Sequence, residues 1–170
     1  GAFEVSLAGG GPVSRPALDG RLRARGLTVA GVRVDCVELD ATSNGARFEL
    51  RQGVAAAWGA TAGLSGEGTL PVAGAKAPAI DLRVRAARFR GRPLPDLDAH
   101  ADLGADLDLS VRSSDGSVSA RLTAPARGGY RAEAAFSGFD LAPLAPLLAG
   151  YVDGFGGSVT ARLDAARRRS

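Results

Sequence analysis

The sequence predicts an all-β fold: an elongated antiparallel meander curled into an open half-pipe. Three observations carry that expectation. Apolar residues alternate with polar ones at period two along most of the chain, glycines punctuate those runs every few to a dozen residues, and no strand–helix–strand spacing occurs. The chain has 170 residues, of which 45% are apolar and 23% charged, a balance that supports an ordered core and excludes a disordered segment. Its 24 glycines follow no Gly-X-Y period, which excludes collagen. Residues 1–170 are therefore read as one β unit, expected to be a fragment of a longer repetitive protein.

The alternating runs begin with Phe3, Val5 and Leu7, then Leu18, Leu22 and Ala24, Val32 and Val34, and Val37, Leu39 and Ala41. Phe48 and Leu50 follow, then Val54, Ala56 and Trp58, Ala62 and Leu64, Leu70 and Val72, and Ile80, Leu82 and Val84. Odd positions from 97 to 111 are all apolar (Leu97, Ala99, Ala101, Leu103, Ala105, Leu107, Leu109, Val111), with polar residues or glycine between them. At about 3.3 Å per residue such a run would span roughly 50 Å unbroken, which predicts a wide, elongated sheet or a bulge near Gly104. The pattern resumes in Val118, Ala120 and Leu122, in Tyr130, Ala132, Ala134 and Phe136, and in Val159, Ala161 and Leu163. Phase slips at Gly26 and between Cys36 and Val37 predict one-residue bulges. Turns are expected at Ser43-Asn44-Gly45, Ser113-Ser114-Asp115-Gly116 and Arg127-Gly128-Gly129, where residues tolerant of left-handed backbone cluster.

One segment departs from period two. In residues 139–151, Leu141, Leu144, Leu147, Leu148 and Tyr151 have helical spacing, Asp140 is placed to cap the start and Gly150 to end it. A short helix, kinked by Pro146, is expected there as an insertion.

The charge pattern excludes several functions. Twenty-one basic and 18 acidic residues give a net charge of +3, but the two signs are interspersed and Lys76 is the sole lysine. A nucleic-acid binder needs a basic stripe with stacking aromatics, and aromatics make up 5% of the chain, so no nucleic-acid partner is expected. The Arg167-Arg168-Arg169 run reads as a frayed tail. Cys36 is alone, which excludes an intrachain disulfide and a cysteine zinc site. No stretch approaches 18 consecutive apolar residues and residues 1–4 lack an export signal, so the piece is expected to be soluble, with any anchor outside it.

A catalytic reading would start from Asp98, His100, Asp102, Asp106 and Asp108, which alternation places on one face. Side chains at i and i+2 along a strand stand about 6.6 Å apart and parallel, whereas acid–base and metal chemistry needs convergent groups. These residues read as a solvated face. No G-x-S-x-G, P-loop or H-E-x-x-H motif accompanies His100, the only histidine, so no catalytic, metal or cofactor-binding residue and no enzyme are predicted.

The dry face is more informative. Val54, Trp58, Ile80, Leu82, Val84, Leu97, Leu103, Leu107 and Leu109 are the expected lining of an apolar groove. Two arrangements would bury them: a sheet closed on itself and filled with side chains, or a half-pipe left open as a binding surface. Alanines such as Ala99, Ala101 and Ala105 leave space that a packed barrel would fill, which favours the groove. Such a groove suits acyl chains or hydrophobic strands.

Residues 9–39, GGGPVSRPALDGRLRARGLTVAGVRVDCVEL, resemble the repeated P-x-L-x-G-x-L units of TamB-like proteins, the inner-membrane components of the translocation and assembly module, at Pro16, Leu18, Gly20 and Leu22. Residues 136–165 resemble a D-L-x-x-L-x-P-L-L unit of the same family and of the wider AsmA-like group, at Asp140, Leu141, Leu144, Pro146, Leu147, Leu148 and Gly157. The resemblance implies a β-taco segment in the periplasm of a Gram-negative-type bacterium, with an inner-membrane anchor elsewhere. It further implies a lumen that carries phospholipid acyl chains between the inner and outer membranes, or that chaperones outer-membrane protein strands alongside a BamA-like barrel. It brings no catalytic residues. A structural or adhesive extracellular β protein is the remaining alternative, which a fixed short repeat of about 20 to 30 residues would mark.

Overall fold

The computed structural model describes residues 1–11, 17–29, 32–69, 78–144 and 156–167. Their strands are β1 (Ala2–Gly10), β2 (Ala17–Val29), β3 (Val32–Asn44), β4 (Arg47–Ala57), β5 (Ala60–Thr69), β6 (Ala79–Phe89), β7 (Arg92–Pro93), β8 (Leu97–Leu103), β9 (Leu107–Ser113), β10 (Val118–Ala124), β11 (Tyr130–Asp140) and β12 (Ser158–Arg167). They form one 12-stranded antiparallel sheet in which spatial order follows sequence order, the two-residue β7 pairing aside with β6. The predicted all-β antiparallel meander is the observed fold, and the sheet is open and uncurled.

Tight turns set this topology. Gly45, with φ of 62°, follows Asn44 in the β3–β4 turn, and both Trp58 (φ 54°) and Gly59 (φ 78°) are left-handed in the β4–β5 turn, the twist that joins adjacent antiparallel strands. The run from 97 to 111 is not one long strand. It folds as the β8–β9 hairpin, with Leu103 opposite Leu107, and the three residues 104–106 between them preserve the odd-position phase across the reversal.

Register keeps the two faces apart. Leu50, Gly66, Leu82, Ala99, Val111 and Ala120 stand opposite one another in turn, forming one apolar row across six strands. The intervening row on the other face carries Glu67, Asp81, His100, Ser110, Arg121 and Glu133. Bulges restore this segregation where the sequence phase slips. Gly26 takes φ of 61°, and the register of β3 against β4 shifts between Val34 and Cys36, one residue before the expected slip.

No second layer covers the apolar face among the described residues, and none of their large side chains is fully buried. The accessible surface is 11546 Å², against about 7,800 Å² for a compact protein of this mass. What core exists is local. Ala24 is 2% exposed, and Ala87 and Phe89 are buried at the end of β6, where the chain turns back and Leu94 N donates to Ala87 O at 2.8 Å.

The helix expected over residues 139–151 is not present in its described part. Phe139 and Asp140 complete β11, paired with Val159 and Ser158. A single 3₁₀ turn follows at Ala142–Leu144, and residues 145–151 lie outside the described residues. Sheet pairing overrides the local spacing here. Asp140 does cap the turn, its Oδ1 accepting from Ala142 N at 2.8 Å. No helix among the described residues is long and apolar enough to cross a membrane.

Candidate functional site: an open apolar sheet face

Seven of the nine predicted lining residues occupy the apolar face. Ile80, Leu82 and Val84 project from the first half of β6, where Ile80 pairs with Ala101 and Leu82 with Ala99. Leu97 and Leu103 of β8 and Leu107 and Leu109 of β9 continue the same rows. The other two are corrections. Register shifts between Leu50 and Gly53, where β4 advances three residues while β5 advances two. That bulge carries Arg51 and Gln52, and it reverses the parity of the rest of β4. Val54 consequently stands opposite Glu38, on the charged face, while Gly53 and Ala55 take the apolar side. Trp58 lies in the β4–β5 turn, 66% exposed, outside the rows.

Glycines give the N-terminal half of this face its texture. A methyl group added at Gly53 would lie 2.8 Å from Leu39 Cδ2 and 3.0 Å from Leu64 Cβ, and one at Gly68 would lie 2.5 Å from the Phe48 ring. Large side chains lean across the strands into the places that glycine leaves, an arrangement that smooths the sheet without a covering layer. The C-terminal strands differ: Ala120, Ala132, Ala134 and Ala165 form the floor of a concavity of about 480 Å³, bounded by Leu109, Leu122 and Leu163. Sequence reading singled out Leu109 alone of this group. Alternation marks Ala120, Ala132 and Ala134 as apolar positions but does not include Ala165, and only register shows that the four are contiguous.

The opposite face is laced by ion pairs. Arg21 donates to both carboxylate oxygens of its register partner Asp40, at 2.7 and 3.1 Å, which lowers the Asp40 pKa below its ordinary value. Arg121 bridges Asp108 in the same bidentate way, and Arg85 reaches Asp98. His100 Nδ1 lies 2.7 Å from Asp81 Oδ1, and hydrogen bonding to that carboxylate, then to Asp102, raises the imidazole pKa. The residues Asp98, His100, Asp102 and Asp108 are thus a paired, exposed surface, while Asp106 ties the β8–β9 turn to the β10–β11 connection by accepting from Ala126 N at 3.0 Å. No group of three or more metal-ligating side chains converges among the described residues.

The two stretches that resemble TamB-like units meet the sheet in different ways. Leu18, Gly20 and Leu22 share one face of β2, each opposite a residue of β1. Asp140 ends β11 and Leu141 follows it, its N donating to Gly157 O at 2.9 Å just before β12. Pro16, Pro146, Leu147 and Leu148 lie outside the described residues. Comparison with protein-family models, with curated proteins and with solved structures returns no match.

Proposed function

We propose that this chain is a periplasmic segment of an envelope-biogenesis protein whose apolar sheet face carries lipid acyl chains between the inner and outer membranes. The observation that carries the reading is an apolar face that runs the width of the sheet with no covering layer among the described residues, and with their ion-pair ladders on the other side. Soluble monomers rarely expose contiguous apolar patches beyond a few hundred Å², and larger ones mark interaction surfaces. Away from Tyr130 and Arg167 at its C-terminal rim, the face is built mainly from Leu, Val, Ile, Ala and Gly, which present no donor or acceptor to fix a pose. Acyl chains are held there by burial alone, at about 25 cal/mol per Å², and can slide. The TamB-like units in residues 9–39 and 136–165 support the same reading. Neither an enzyme nor a metal or cofactor is part of it.

The test is to export the chain to a bacterial periplasm, purify it without detergent and extract it for lipid mass spectrometry. Co-purified phospholipid is expected in the wild type and less of it in Leu82→Asp and Leu109→Asp, which place a charge in the path. Wild-type protein free of lipid would overturn the reading. Co-purified unfolded outer-membrane strands in place of lipid would favour a chaperone for such strands.

A further inference from the structure

We infer that the C-terminal end of the apolar face is a seat for one acyl chain bearing an anionic headgroup, with the chain on the alanine floor and the headgroup at Arg167. The inference rests on the acyl-chain reading above and gives it a place and a charge preference.

The floor runs along β11. Ala132 stands opposite Leu122 on one side and Ala165 on the other, and Ala134 opposite Ala120 and Leu163. Leu122 and Leu163 therefore rise at diagonal corners of a patch whose other positions are methyl groups, and Leu163 is 60% exposed. Phe136 and Phe139 close one end as an edge-to-face pair with centroids 6.1 Å apart. From Phe136 to Tyr130 the floor measures about 20 Å at 3.3 Å per residue, comparable with the roughly 15 Å depth of the acyl layer of one leaflet. The 480 Å³ concavity falls within the range of about 300–1,000 Å³ typical of single-ligand sites.

The other end is polar in a specific way. Tyr130 and Arg167 are register partners, two residues beyond Ala132 and Ala165, so both belong to the apolar side of the sheet. A second concavity, of about 760 Å³, includes Tyr130 and Arg167 but is also lined by Thr123, Arg131, Arg162, Asp164 and Ala166 of the charged face, so on the apolar side the rim consists of Tyr130 and Arg167 themselves. The neighbouring arginines of β11 and β12 lie on the charged face beside carboxylates: Arg131 reaches Glu133, and Arg162 reaches Glu133 and Asp164. Arg167 has no carboxylate partner among the described residues. A guanidinium at the mouth of an apolar groove, next to a phenol with a dry ring and a wet hydroxyl, matches a phosphate-bearing lipid: apolar along the floor, anionic at the rim.

Calorimetric titration of the 170-residue chain with dodecyl phosphate and with dodecylphosphocholine, both as monomers, tests this. The two probes share a chain and differ in net charge. Dodecyl phosphate is expected to bind at least tenfold more tightly, Arg167→Glu to erase that preference while retaining dodecylphosphocholine binding, and Ala134→Trp to abolish both by filling the floor. An Arg167→Glu variant that keeps the preference overturns the headgroup assignment and leaves the acyl reading standing. Undiminished binding to Ala134→Trp overturns the location. Failure of either probe to bind the wild type overturns the seat and the acyl reading together. Unchanged far-ultraviolet circular dichroism in each variant confirms that the sheet persists.

Discussion

His100 of β8 stands directly opposite Asp81 of β6, its Nδ1 2.7 Å from the carboxylate, while its Nε2 lies 3.4 Å from Asp102. Asp81 continues a row of like charge, Glu49 and Glu67, so the imidazolium ends a line of three carboxylates. The His100 pKa is raised above 6.5 by Asp81 first and Asp102 second. The associated stabilisation is complete below the unfolded value and is lost as pH rises through the higher folded value. Because the group is exposed, the effect on stability is expected to be small and salt-sensitive. Proton NMR titration of the single histidine should give a pKa above 6.5 in the wild type and a lower one in Asp81→Asn; equal values would refute the pairing.

Asp115 organises the β9–β10 turn. Its Oδ1 accepts from Ser113 Oγ at 2.6 Å, Ser117 N at 3.0 Å and Ser117 Oγ at 2.7 Å, which lowers its pKa from 3.8 to about 2. A depressed carboxylate stabilises the fold above its unfolded pKa, and that contribution disappears as pH falls through about 2. Asp115→Asn should lower the denaturant midpoint at pH 7 and bring the variant level with wild type near pH 2. A constant difference across that range would show that the turn does not depend on charge.

Gly53 is the point at which β4 changes parity, and Leu39 occupies the space its side chain would need. Gly53→Val should destabilise by about 1–3 kcal/mol through overpacking, measured by urea unfolding. A combined Gly53→Val, Leu39→Ala chain should recover part of the loss, since the two side chains compete for one position.

Trp58 is left-handed in a turn whose next residue, Gly59, is also left-handed. Asparagine is the residue this turn type favours at that place, and the backbone penalty for other L-residues is about 1–2 kcal/mol. Trp58→Asn should therefore stabilise the chain, by about 1 kcal/mol in thermal or urea unfolding. Loss of stability would mean that the exposed indole contributes packing that outweighs its backbone strain.

Val54 and Leu82 separate the faces experimentally. Val54→Asp, on the charged side, should change stability by less than about 0.5 kcal/mol and leave acyl binding intact. Leu82→Asp should lower the amount of fluorescent fatty acid bound, because it places a carboxylate in an apolar row, while the seat on β10–β12 stays occupied. Equal effects at the two positions would contradict the register.

The fold class was legible because period two survives every hairpin whose loop keeps phase, as Gly104–Asp106 does between Leu103 and Leu107. That same continuity concealed the hairpin: Leu97 to Val111 reads as one strand when only parity is counted. Val54 was misassigned for the converse reason. Phe48, Leu50, Val54 and Ala56 are all even-numbered, and nothing in that spacing reveals the bulge at Arg51 and Gln52. The helical spacing after Phe139 was real but subordinate, since Phe139 and Asp140 gain more from pairing with β12 than from starting a helix. The alanine floor needed register as well, because Ala120, Ala134 and Ala165 become neighbours only across three strands.

Spatial order following sequence order has a kinetic consequence. Each strand after the first can add to an edge already formed, closing only a short loop, so zippering needs no distant encounter and should be fast for an all-β chain. Unfolding can retrace that route from either side. Amide hydrogen exchange should be slowest around β5 and β6 and quicken toward β1 and β12, a gradient of protection in place of a single cooperative block.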